Sequence, residues 1–167
     1  MIRATELLDE AERLAGALSI HSEAARRRAI STAYYGLFHG FTEAGARLIA
    51  GSNGSMQSHV ARSYNHALLR TVCDRLWRER LDPPWNRLFQ APLSPEIKLV
   101  AATTVELQAA RILADYDLAE TITVSFAVEC VRSARRASLA FAAIADSDEA
   151  HAFLVAILLS DRWGRRG

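Results

Sequence analysis

Apolar residues recur along nearly the whole chain at spacings close to 3.6, and no stretch alternates at period two. That pattern predicts an all-α protein. A first helix is expected over residues 4–19, with Leu7, Leu8, Ala11, Leu14, Ala15 and Leu18 on one face. Ser22 can cap a long second helix running to about residue 50, and "GSNGS" at 51–55 reads as a loop. A third helix is expected from Ser58 to Leu81, ended by the proline-broken stretch "DPPWNRLFQAPL" at 82–93. Ser94 and Pro95 resemble the cap and first residue of a fourth helix reaching Asp115. After the connector "DYDLAETIT", a fifth helix is expected over 124–145. A sixth, capped by Asp146 or Ser147, should end near Asp161 before the basic tail "RWGRRG". Long helices with short connectors favour an antiparallel up-and-down bundle of four to five long helices plus a short C-terminal helix, in one domain.

Within this pattern, "RRRAISTAYYGLFHG" (26–40) separates into two stripes when stepped at 100° per residue. Ile30, Ala33, Tyr34, Leu37, Phe38 and Phe41 form a core stripe. Arg28, Thr32, Tyr35 and His39 fall on nearly the opposite side. That second stripe is either a solvated face or one that meets another helix or a second subunit, where tyrosine, histidine and arginine can bind phosphate. On the third helix His59, Arg62 and His66 are spaced three and four apart and would share a face. On the fourth, Thr104, Gln108, Arg111 and Asp115 share another. Arg111 and Asp115 can form an ordinary intrahelical ion pair. Alternatively, Arg111 points toward the polar face of the second helix while Asp115 holds its guanidinium.

Composition narrows these options. At 167 residues and 50% hydrophobic the chain can bury a substantial core unaided. With 20 Lys+Arg against 19 Asp+Glu there is no whole-molecule field to attract nucleic acid, so any such binding must be local. Lys98 is the only lysine, and arginine suits bidentate contacts to carboxylate or phosphate. Cys73 and Cys130 lack a CxxC partner and read as buried free thiols of a reducing cytoplasm. "MIRATELLDEAERL" is too acidic for a signal peptide, and "AFLVAILL" is too short to span a bilayer, so no membrane association is expected. HExxH, P-loop, GxGxxG and GxSxG motifs are absent, and neither a metal site nor a cofactor is implied. "RSARR" (132–136) can touch phosphates or stand solvated, and "DPPWNRLFQAPL" is expected as a packed loop rather than a partner surface.

Three segments in order, "RRAISTAYYGLFHG", "SMQSHVARSY" with its histidine after a polar loop, and "AARILADYDL" before a last long helix, resemble the small HEPN proteins of bacteria and archaea. The resemblance covers residues 22–145. It implies a helical bundle that commonly dimerises and is often paired with a minimal nucleotidyltransferase, as toxin and antitoxin or in a defence module. Many such proteins are metal-independent ribonucleases, with an arginine followed after four to six residues by a histidine. In that chemistry the 2′-OH attacks the adjacent phosphate, histidine works as acid and base, and arginine meets the phosphate charge.

This chain departs from that motif. No arginine is followed by histidine at that spacing; Arg62 and His66 have only three residues between them, and Arg111 is followed instead by Asp115 and Tyr116. A carboxylate holds no proton to donate at neutral pH, unlike an imidazolium. Three roles follow. The first is a binding module for a nucleotidyltransferase partner and for nucleotide or RNA, using Arg28, Tyr35, His39, Arg111 and neighbours. The second is a ribonuclease with a rearranged site, Arg111 acting with His39 or His59, and the third is a structural homodimer. By analogy with related pairs, in which a tyrosine near the motif accepts AMP from the partner, Tyr116 stands where an acceptor could be.

Overall fold

Seven α-helices and one 3-10 turn account for the ordered elements of a computed structural model, which describes residues 3–16 and 22–163. The helices are α1 (Ala4–Gly16), α2 (Glu23–Ala50), α3 (Gly54–Arg62), α4 (His66–Trp77), α5 (Pro95–Tyr116), α6 (Val124–Ala143) and α7 (Asp148–Trp163); the 3-10 turn is Trp85–Arg87. No strand occurs among the described residues, and the fold is an all-α helical bundle. The expected extension of the first helix to residue 19, and the tail beyond Trp163, lie outside the described residues.

Capping chemistry sets most boundaries. Ser94 accepts the Ile97 N–H at 3.2 Å and opens α5 with Pro95 in the first position. Ser147, the second of the two candidate caps, accepts the Ala150 N–H at 3.1 Å and opens α7. Thr123 does the same for α6 through the Phe126 N–H at 3.2 Å. One segment differs from expectation: the helix anticipated over 58–81 begins earlier, at Gly54, is two helices broken at residues 63–65, and ends earlier, at Trp77. Asn65 turns back to accept the Leu68 N–H at 2.8 Å, starting α4 afresh. Tyr64 meanwhile leaves the helical path to bury its ring, and its hydroxyl donates to the Leu154 carbonyl at 3.1 Å. Continuing the helix through Tyr64 would forfeit that buried contact.

The chain divides into two compact units. One comprises Met1–Gly40 and Thr103–Leu139, the other Phe41–Ala102 and Ala140–Gly167. In the first, Leu8 and Ala11 of α1, Ile30, Ala33, Tyr34 and Leu37 of α2, and Leu107 and Ala114 of α5 are buried. Gly36 is required there, because a Cβ would come within 2.8 Å of Leu8 Cγ. Arg135 of α6 ties α1 down by pairing with Asp9 and, at 2.6 Å, with Glu12. In the second unit Phe41 meets Phe141 and Phe153 edge-to-face, with centroids 5.1 Å apart in each pair, and α4 packs on α7. Trp85 and Phe89 of the proline-broken stretch are buried, as expected of a packed loop, with Arg75 and Trp163 covering the Trp85 ring.

Candidate functional site

The polar stripe of α2 and the last turns of α5 meet in the first unit. Tyr34, one position before Tyr35, is only 1% exposed and belongs to the core, which turns its neighbour about 100° away from it. Tyr35 is half-buried, and its hydroxyl accepts a hydrogen bond from Arg111 Nη2 at 2.7 Å. The same guanidinium lies 5.3 Å from the Tyr35 ring and 5.7 Å from the Tyr116 ring. Its Nε stands 2.7 Å from Asp115 Oδ2, although the N–H is not directed along that line, so this contact is an ion pair rather than an aligned hydrogen bond. Asp115 is in turn held by a short hydrogen bond from the Ser31 hydroxyl.

Arg111 thus does both things its spacing allowed: it pairs within its helix and reaches across to α2. Its side chain is only 18% exposed. Burial works against the charge, but Tyr35, Asp115 and Tyr116 outweigh that penalty and raise its pKa, so the guanidinium is a fixed cation. Its Nη1 makes no hydrogen bond among the described residues.

A second arginine secures the frame. Arg27 Nη1 donates to the carbonyls of Ala114 at 2.9 Å and Asp117 at 2.8 Å, Nη2 donates to the Glu120 carbonyl, and Glu23 pairs with it at 2.8 Å. Arg26 Nε donates to the Ile122 carbonyl. Orphan carbonyls at the end of α5 and in its connector therefore converge on the start of α2. This capping holds the helical turn that carries Asp115 and Tyr116.

The remaining expected site residues fall elsewhere. Arg28 is exposed and takes no part in the cluster's hydrogen bonds. His39, one turn beyond Tyr35, is half-buried against the Phe38 ring at 5.8 Å. His59 and Arg62 are exposed on α3 in the second unit, and the break at 63–65 ends the shared face they were expected to form with His66. Among the described residues no three His, Cys, Asp or Glu side chains converge as a metal site would need. The "RSARR" arginines are committed, Arg135 to α1 and Arg132 and Arg136 to Glu129. Ser31 and Arg27 were missed by the sequence reading. Ser31 was within reach of it, since it lies one turn before Tyr35 on the same side of α2.

No family model matches the chain, and neither do curated proteins or solved structures. No helix of the described residues is long and apolar enough to cross a membrane.

Proposed function

We propose that this protein is a HEPN-like binding module that takes a nucleotide or single-stranded RNA at the Tyr35–Arg111–Asp115–Tyr116 cluster. In this reading it works in the cytoplasm, as a homodimer, with a minimal nucleotidyltransferase partner in a toxin–antitoxin or defence pair. The observation that carries the binding role is the preoriented Arg111 guanidinium, fixed by Asp115 and Tyr35 while its Nη1 stays uncommitted. Such a cation meets a phosphate without ordering cost, and Tyr116, 70% exposed, offers a ring on which a base can stack. The pairing with a nucleotidyltransferase rests on the resemblance of "RRAISTAYYGLFHG" and "AARILADYDL".

The test is equilibrium binding of ATP and of oligo-adenylate RNA to the full chain. Arg111→Ala should lower affinity by about tenfold or more, and Arg111→Lys should recover only part of it, because the planar fork is lost. Undiminished binding by Arg111→Ala would sink the assignment. Co-expression with the product of the adjacent gene should give a stoichiometric complex if the pairing holds.

A second reading, a metal-independent ribonuclease using Arg111 and His39, is favoured by one observation: His39 lies one turn from Tyr35 on the same helix. RNA cleavage that persists in EDTA and disappears in both Arg111→Ala and His39→Ala would support it.

A further inference from the structure

A cavity of the first unit lies between α5 and α6, and no residue of the arginine cluster lines it. It measures about 550 Å³, within the size range of small-molecule sites. Leu107, Ala110 and Leu113 line it from α5, and Phe126 lines it from α6. Spacings of three put Leu107, Ala110 and Leu113 on one face of α5, and Phe126, Glu129, Cys130 and Ser133, spaced three and four apart, share the facing side of α6. Phe126 is 39% exposed, so part of its ring is open to the groove.

Two carboxylates, Glu106 and Glu129, stand in the same lining. They are not equivalent. Glu129 is neutralised by Arg136 at 2.9 Å and Arg132 at 3.5 Å. Glu106 forms no ion pair among the described residues. The Cys130 thiol, also in the lining, is pushed up to about 11 by burial first and by Glu129 and Glu106 next. Glu106 is the lining carboxylate that no ion pair among the described residues occupies, and beside the apolar wall it complements a cation on an apolar body.

We infer that the α5–α6 groove binds a small amphiphilic cation, an aryl- or alkyl-ammonium compound, with its apolar body on Phe126 and Leu113 and its charge at Glu106. The site is independent of the arginine cluster, which would take the opposite charge. Three probes sharing one body separate the contributions: 4-phenylbutylammonium, 4-phenylbutanoate and 4-phenyl-1-butanol, titrated into the full chain by amide NMR. The ammonium probe should shift amides within 106–113 and 126–133 and bind at least about fivefold more tightly than the carboxylate, the scale of one half-exposed ion pair. Glu106→Gln, an exposed change that leaves the core intact, should erase that preference while the alcohol binds as before. Phe126→Ala should weaken all three alike. Equal binding of the two charged probes, shifts confined to other helices, or a preference that survives Glu106→Gln would each overturn the inference.

Discussion

Tyr64 shows how much one side chain can dictate. Its hydroxyl ends at the Leu154 carbonyl, and its ring occupies the space beside Gly45, where a Cβ would meet the hydroxyl at 1.7 Å and the ring at 2.5 Å. Gly45→Ala should therefore cost about 1–3 kcal/mol despite its better helix propensity, read as a fall in midpoint on thermal denaturation. Tyr64→Phe should cost about 1 kcal/mol through the unpaired carbonyl. In a Tyr64→Ala background the Gly45→Ala penalty should vanish, a coupling that a double-mutant cycle measures directly. None of this was visible in "SMQSHVARSY", because nothing local distinguishes a tyrosine that continues a helix from one that leaves it. The stripes of α2 were visible: Tyr34 in the core stripe and Tyr35 outside it follow from a 100° step, whereas the contact of Tyr35 with Arg111 is tertiary.

At the scale of elements, the connector between α5 and α6 owes its path to Arg27. Four carbonyls and the Glu23 carboxylate satisfy one guanidinium that is 13% exposed, so Arg27→Ala leaves the part-buried Ala114 carbonyl and the connector's carbonyls without that donor. A loss of about 2–3 kcal/mol is expected, together with faster amide exchange over residues 117–123 while α1 and α7 keep their protection. Binding at Arg111 should weaken in the same variant, because Asp115 and Tyr116 sit on the turn that Arg27 caps. Helix ends with Ser caps were legible in the sequence, as at Ser94 and Ser147. The split of the third helix was missed: Asn65 is a cap residue that offered a local signal for it, while the Tyr64 contact to Leu154 is tertiary. The stripe reading picked Arg28 from the arginine run, whereas Arg27, at the border of the core stripe, is the one that reaches α5.

For the molecule as a whole, alkaline pH is the condition that should expose the packing. Burial raises the Cys130 thiol from 9.0 to about 11, and burial raises the Tyr64 phenol well above its usual value of 10.0. In both cases the unfolded chain releases a proton before the folded one does, so stability present below pH 9 should fall between about 9 and 11 from Cys130 and continue falling above 10 from Tyr64. Melting temperature against pH should show this decline, with Cys130→Ala flattening its lower part and Tyr64→Phe its upper part. The all-α class was legible from periodicity, and so were the two buried thiols. The division into two compact units was not, because its boundaries fall inside α2, α5 and α6, where the hydrophobic period runs on without a break. The contact between Tyr64 and Gly45 also sets a rule for descent: in any relative that keeps the broken helix, a residue larger than glycine at the position of Gly45 should appear only together with a shortened side chain at that of Tyr64, so the two sites should change in step through evolution.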